Sequence, residues 1–542
     1  MVQTLAFLAA LLVPADAEVE KARTELKKAA AELSPSGVRD ASEKLSKSDQ
    51  KPAVDALLDG YGLLANALKA LWPDKLKAIQ QKEANADFRI NLKTNPPTIV
   101  QGDEKKYLAW QEAEKLGQST EGKIMNVEAC KRHIVRALGG FKSEETVKEM
   151  LREIKGNSSW EKRAGLAEAL GQMSHASIPA ALAEILKKDS EPQVRIAVLD
   201  AIRELKSASP EVLAAVLEQL KHEFWQVKST AASTLKALKP KEAIDALLEA
   251  LAKSDGRLRH DMNDALAAIT GVDKHADPNA WRAWWDANKA AFLEGKYAPR
   301  PEEAKDAKPF TTFYGIPVNS KNVIFILDRS GSMQEPSEWE PDKDVATGAG
   351  QPGGDLKPQG NRKIDIARWQ LKRALSMIPD GVEFNVIFYS HEWTILSERM
   401  LKLSADTRKK AFEFIDRLDP VGPTNIYDPL EKGLAFAATG PLADKIAKGG
   451  VDTIFFLTDG MPNTGQVPRA EDILVKVKEL NKTKKVKINT IGVFSSSTAP
   501  TPAGGSEAEL GGKFLKQLAD ENDGRYTGAN KAGAAAKDMK KP

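Results

Sequence analysis

The chain has 542 residues, 29% of them charged, and a formal net charge of +3. That balance gives no drive toward nucleic acid, and the aromatic–basic interleaving of RNA-binding proteins is missing too. A single cysteine excludes any intrachain disulfide and leaves the redox compartment unassigned, while the length suffices for about three domains with separate cores.

The first predicted element is a short apolar run, Leu5 to Val13, followed by Ala15-Asp16-Ala17 with small residues at −3 and −1 from Glu18. This is the shape of a secretory signal over residues 1–17, too short to span a bilayer stably. It predicts export to the periplasm, the cell surface or the medium. No Lys or Arg precedes the run, so the basic n-region is missing or lies upstream; a signal that does not function would leave the protein cytoplasmic. No other stretch is long and apolar enough to cross a membrane, which predicts a soluble mature protein. Residues 18–124 read as helical and Lys-rich, with Leu57-Leu58 and Leu63-Leu64 marking an apolar face near Trp72. They fit a coiled hairpin ahead of the next region.

From residue 125 the sequence repeats. Helical phrases open at positions 130, 162, 194, 227 and 258, as in Lys162–Leu170 (KRAGLAEAL) and Val194–Ile202 (VRIAVLDAI). Each is followed by a second amphipathic helix, as in Glu144–Ile154, Pro179–Lys187, Pro210–Leu220 and Lys241–Leu251. Apolar residues recur at three and four, which puts one stripe of every helix into a core that only stacked neighbours complete. The spacing and pairing resemble HEAT repeats of the short bacterial kind. They imply an α-solenoid over residues 125–295, acting as a protein-binding surface or as a spacer. Cys130, in the first phrase, reads as a small buried apolar residue. Asp277-Pro278 starts a last helix whose Trp281, Trp284 and Trp285 either seal the array or form an exposed aromatic patch.

Residues 296–320, with Pro299, Pro301, Pro309 and Pro317, read as a linker, and Gly315 to Val318 as the start of an edge strand. Val323 to Ser332 then reads VIFILDRSGS, an apolar strand running into Asp328, Ser330 and Ser332. Short oxygen side chains at every second position after a buried strand suit a hard divalent cation, and open α/β sheets bind ligands at this strand end. Two more pieces follow: the turn Gly422-Pro423-Thr424-Asn425 before a helix, and the strand Asp452–Leu457 running into Thr458-Asp459-Gly460. Later come the strand Lys487–Val493, the helix Phe514–Ala519 and an edge strand at Gly524-Arg525-Tyr526, before a tail at 531–542.

In this order the pieces resemble the von Willebrand factor A domain over residues 321–530. The resemblance implies an α/β doubly wound fold with a mainly parallel sheet. It also implies a metal-ion-dependent adhesion site in which Asp328, Ser330, Ser332, Thr424 and Asp459 hold magnesium or manganese. In that family the ion's open position is filled by an acidic partner and no bond is broken. Two carboxylates about 5 Å apart repel by roughly 3 kcal/mol at an effective dielectric near 20, which a divalent ion reverses. The competing reading is an acidic cluster at the sheet end that never holds metal.

Phosphate-loop, zincin, paired-cysteine and nucleophile-elbow motifs are absent. His391, the histidine nearest a domain strand, reads as a surface or turn residue. The resulting expectation is a non-enzymatic scaffold or adhesion protein that binds a Glu- or Asp-bearing protein ligand through the metal, with the solenoid as a second interaction surface. The alternatives are a metal-dependent hydrolase or enzyme-assembly subunit using the same oxygens, or a purely structural A domain with partner choice in the solenoid. Between Gln334 and Arg362 an insertion rich in Gly, Pro, Asp and Glu separates the first ligand loop from its helix. It reads as a lid, specificity loop or processing site beside the metal, with Trp339 able to occlude it, or as a passive insertion. The Gly/Ser/Pro stretch from Ser495 to Gly512 reads as a second variable loop.

Overall fold

A computed structural model describes residues 15–85, 88–91, 98–297, 311–338, 356–439, 445–495 and 506–528. The leader to residue 14, the linker at 298–310, the insertion at 339–355 with Trp339, the loop at 496–505 and the end of the chain from 529 lie outside the described residues. Among the described residues no helix is long and apolar enough to cross a membrane. The chain divides into two compact units: Met1–Lys77, Ser119–Ala250 and Asp264–Gly271 form one, and Ala78–Gln118, Leu251–Asn263 and Val272–Pro542 the other.

The first unit is helical. Helices Ala15–Ala31 and Pro35–Ser48 precede two long ones, Lys51–Ala84 and Glu104–Gly139, and the phrase at Cys130 is the end of the latter. The repeat helices follow as Glu144–Gly156, Trp160–Gly171, Ile178–Lys188, Pro192–Leu205, Pro210–Gln219, Trp225–Leu238, Ile244–Lys253 and Gly256–Thr270, within a few residues of the predicted spans. Local chemistry sets their ends. Ser143, Ser159 and Ser209 each accept a backbone N–H of the first turn, and Lys206 and Lys239 stop their helices in the left-handed region at φ 51°. The predicted stripes are the core: Leu166, Leu170, Leu182, Leu186, Val194, Leu199 and Ile202 are fully buried, as is Cys130.

In the second unit the sheet orders its strands β13-β12-β11-β5-β6-β7, with β8 also paired to β6. The strands are β5 (Asn322–Asp328), β6 (Glu383–Tyr389), β7 (Trp393–Ile395), β8 (Leu401–Lys402), β11 (Thr453–Thr458), β12 (Lys487–Gly492) and β13 (Tyr526–Gly528). All pairs from β13 to β6 are parallel, and only β7 and β8 run against β6. The remaining strands make three separate hairpins: β1 (Phe88–Asn91) with β2 (Thr98–Gly102), β3 (Thr312–Phe313) with β4 (Ile316–Pro317), and β9 (Ala438–Thr439) with β10 (Lys445–Ile446). Gly315 to Val318 therefore belongs to a small hairpin beside the sheet rather than to one of its edges. Phe313 from that hairpin is buried in the sheet's core, so domain packing starts upstream of residue 321.

Near-continuous apolar strands have both faces covered, as parallel sheets require. On one face Phe325 and Phe455 lie opposite each other in register, stacked at 5.4 Å between ring centroids, with Phe313 edge-on to both. Helix Lys363–Met377 closes this side through Ile364, Ala367, Leu371 and Leu375. On the other face helix Tyr427–Ala435 comes so near that a Cβ on Gly433 would lie 2.8 Å from Ile326 Cδ1, and a larger residue there would require that side chain to shift.

Two further segments pack within this unit. Arg257 is buried and donates to the carbonyls of Asp452 and Lys485 at 2.5 and 2.6 Å, tying residues 251–263 to the amino ends of β11 and β12. The tryptophan helix, Pro278–Leu293, is capped by Asp277, and Trp281, Trp284 and Trp285 are buried with Phe292. Trp281 Nε1 donates to Asn263 Oδ1 at 2.7 Å. The aromatic patch expected as an alternative is therefore not exposed.

Phe325→Ala should remove about 3–5 kcal/mol from the sheet. The check is hydrogen exchange of the β5 and β11 amides, against an exposed Leu293→Ala control expected to stay within about 0.5 kcal/mol of the parent.

Candidate metal-binding site

Parallel pairing runs β5 and β11 to the same sheet edge, with Leu327 opposite Leu457, so Asp328 and Asp459 leave the sheet side by side. Asp328 is fully buried. Its Oδ1 accepts the Ser330 N–H at 2.6 Å and its Oδ2 the Thr458 hydroxyl at 2.7 Å. Ser332 donates to Asp459 Oδ1 at 2.7 Å, and its Oγ lies 3.2 Å from Ser330 Oγ. Four of the five predicted residues are thus linked by hydrogen bonds. Thr424, the fifth, is buried in the adjoining turn, which the Gly331 N–H joins to the first loop by donating to the Gly422 carbonyl at 2.9 Å. Asn463 fixes Thr424 from the other side: it accepts the Thr424 N–H at 2.8 Å and donates its own N–H to the Thr424 carbonyl at 3.0 Å.

Burial raises the proton affinity of Asp328, and the charge of Asp459 raises it further. Among the described residues no cluster of three or more His, Cys, Asp or Glu side chains is placed to hold a metal. The predicted set is of another class, two carboxylates and three hydroxyls. Its donors are hard oxygens, and its buried carboxylate pair is the arrangement a divalent cation relieves, so the residues present fit magnesium or manganese.

Lys363, at the start of its helix, was not among the predicted site residues. Its ammonium is buried and bridges Asp459 Oδ2 and Glu335 Oε2, both at 2.8 Å. Burial opposes that charge, but Asp459 and Glu335 more than offset it and raise the proton affinity. The insertion that separates Lys363 from the first loop is closed at its base. The Lys363 N–H donates to the Glu335 carbonyl, the Ser337 N–H to the Asn361 carbonyl, and Pro336 bridges Arg362.

A second charged cluster flanks the Thr424 turn. Lys82, from the end of helix Lys51–Ala84, is buried among Glu114 Oε2 at 2.5 Å, Asp428 Oδ2 at 3.1 Å and Glu392 Oε1 at 3.4 Å. Burial works against its charge, yet the three carboxylates keep it firmly protonated. Trp110 lies under the ammonium and donates its Nε1–H to Glu392 Oε1 at 2.5 Å. Glu114 accepts the Gly465 N–H at 3.2 Å, and Gln118 donates to the Gly465 carbonyl at 3.1 Å. His391 is a turn residue, as predicted, but it is buried rather than on the surface, edge-on to Trp110 at 6.0 Å. Burial, helped by Arg329 and Lys82, lowers its pKa to about 4.

Sequence reasoning missed this cluster because 346 positions separate Lys82 from Asp428. The one available signal was an acidic residue in the first turn of helix Tyr427–Ala435, on the turn that carries Thr424.

Residues 128–203 and 178–267 match the HEAT repeats family. The chain is 27% identical over 157 residues to the human (Homo sapiens) inter-alpha-trypsin inhibitor heavy chain H4, which covers 29% of this chain and 14% of that protein. It is 27% identical over 210 residues to the mouse (Mus musculus) heavy chain H3, covering 39% and 19%. The chain thus spans less than a fifth of the length of these curated relatives. Among solved structures, a von Willebrand factor type A protein from Catenulispora acidiphila aligns at 18% identity over 41% of each chain, with a TM-score of 0.26. BatB from Bacteroides thetaiotaomicron aligns at 16% over 40% of this chain and 94% of its own, with a TM-score of 0.25. The chain consists of a helical region that matches HEAT repeats, followed by an α/β domain with a mostly parallel sheet, similar to von Willebrand factor A domains.

The Lys82 cluster carries a pH dependence. Burial pushes the Glu392 carboxyl up to about 7; Lys82 draws it down, while Asp428 and Glu114 add to the rise. A released Glu392 loses its proton in the usual carboxylate range. The Glu392 contribution to attachment of residues 104–118 is therefore fully present below that range and is lost as pH rises through about 7, while the lowered pKa of His391 acts in the opposite sense toward pH 4. Hydrogen exchange of these amides, corrected for intrinsic rates, should be faster at pH 8 than at pH 5, and Glu392→Gln should remove this excess at pH 8. Equal protection of the parent at both pH values would contradict the assignment.

Proposed function

We propose that the protein is a non-enzymatic binding scaffold whose A domain takes up magnesium or manganese at Asp328, Ser330, Ser332, Thr424 and Asp459 and through it holds the Glu or Asp side chain of a protein partner. The observation that carries this reading is the bond from Ser332 to Asp459, which joins the first and third ligand loops across 127 residues of sequence. A bound divalent ion supplies the positive charge that draws in the partner's carboxylate. The chain's own residues do the rest. Hydroxyls add coordination without adding charge, Thr458 and the Ser330 N–H orient Asp328, and Lys363 holds the outer oxygen of Asp459 so that Oδ1 faces Ser332.

Two observations favour binding over turnover. His391, the histidine nearest the Thr424 turn in sequence, is buried against Trp110, and burial lowers its pKa to about 4. The relatives bear the names of inhibitor heavy chains, which suits a component of an assembly. The HEAT repeats would then add a second protein-interaction surface, the usual employment of a solenoid. Export fits an adhesion role of this kind and is proposed with it.

Calorimetric titration of Mn2+ into the full chain should give saturable binding, with affinity lowered at least about a hundredfold in Asp459→Asn, as loss of a buried ligand charge implies. An immobilised poly-glutamate peptide should retain the Mn2+-loaded parent and release it in EDTA. Silence in the titration of the parent would end the metal-dependent reading.

A further inference from the structure

The Thr424 turn is held from two directions. Asn463 grips Thr424 itself, and the network around Lys82 grips the residues that follow. The Asp428 N–H donates to Asn425 Oδ1 at 3.2 Å, and Asp428 Oδ1 accepts the Gln466 N–H at 3.1 Å. Asn425 donates its backbone N–H to the Ser390 carbonyl at 2.8 Å and its Nδ2–H to the His391 carbonyl at 3.3 Å. Gly465 sits at φ 101°, and a Cβ there would lie 2.1 Å from Asn425 Oδ1, so the 463–466 loop is pressed against the turn. Three loops, at 390–392, 424–428 and 463–466, therefore interlock around one predicted metal ligand.

Each of these loops is also fastened to the segment 78–118. Lys82 pairs with Asp428 and Glu392, Trp110 donates to Glu392, and Glu114 and Gln118 bracket Gly465. Removing the ammonium leaves three carboxylates, from Glu114, Glu392 and Asp428, buried with no counter-charge. That state is strongly disfavoured, and the acids must take up protons or separate to admit water, either of which changes the contacts that hold the loops. Asp428 stands only four residues from Thr424, and Asn425 links the two.

We infer that Lys82 is a positioning residue for the metal site: by neutralising Glu114, Glu392 and Asp428 it holds the Thr424 turn in the ligating arrangement, so that metal binding and attachment of residues 78–118 stabilise one another. The inference rests on the metal-dependent reading of the site and deepens it. Reciprocity follows from thermodynamic linkage. If attachment improves metal affinity by some factor, metal strengthens attachment by the same factor.

The test uses the full chain with Mn2+ as probe. Lys82→Met should weaken Mn2+ binding by about tenfold, within the usual range of coupling between sites. Lys82→Arg should restore most of it. Mn2+ should slow hydrogen exchange in residues 104–118 of the parent but not of Asp459→Asn. If Lys82→Met does not fold, Trp110→Phe, which removes the hydrogen bond to Glu392 and shrinks the ring facing Lys82 and His391, should show a smaller loss in the same direction. Unchanged Mn2+ affinity in a variant whose 104–118 amides exchange faster would overturn the positioning role while leaving the metal site standing. Absence of Mn2+ binding in the parent would remove the metal reading, and this inference with it.

Discussion

Parallel pairing of β5 with β11 forces like charges together. Once Phe325 is in register with Phe455, the residues that follow both strands bring Asp328 and Asp459 to the same edge. The aromatic stack that fixes the register and the repulsion at the strand ends are two consequences of one geometry. Burial of Phe325 and Phe455 contributes on the order of 1.5–3 kcal/mol for each ring, comparable to the carboxylate repulsion it imposes. Most of the surrounding chemistry answers that repulsion. Thr458, the Ser330 N–H and Ser332 offer hydrogens to the two carboxylates, and Lys363 offers a full positive charge.

The fold was legible where periodicity and burial coincide. Parallel strands covered on both faces appear as unbroken apolar runs, and Val323–Leu327 and Ile454–Leu457 could be nothing else once acidic turns followed them. Repeat helices were legible because similar apolar phrases recur at positions 130, 162, 194, 227 and 258. The small hairpin at Thr312–Pro317 was harder to read. Two-residue strands carry no period, and only Phe313 entering the sheet's core reveals that the domain begins there. Burial of His391 was equally hidden, since Trp110 meets it from a distant part of the sequence.

Side-chain identity at the site followed the same rule. Asp328, Ser330, Ser332 and Asp459 are dictated by neighbours in sequence and by strand order, and they come together. Lys363 was visible as the first residue of a helix but not as a partner of Asp459, because the insertion hides how near that helix lies to the first loop. Lys82 itself has no sequence signature. A lysine near the end of a long charged helix looks like solvated surface until three carboxylates from elsewhere surround it.

The closed base of the insertion has an architectural consequence. Because Glu335 and Lys363 are already joined by a backbone hydrogen bond, and Ser337 by another to Asn361, the two ends of the excursion meet regardless of what lies between them. Lengthening such a loop costs only about 0.6 kcal/mol per doubling, so residues can be added or exchanged there without disturbing the lysine or the serines. The domain thus carries, within a few residues of Ser332, a port where new sequence can be tried against a fixed framework.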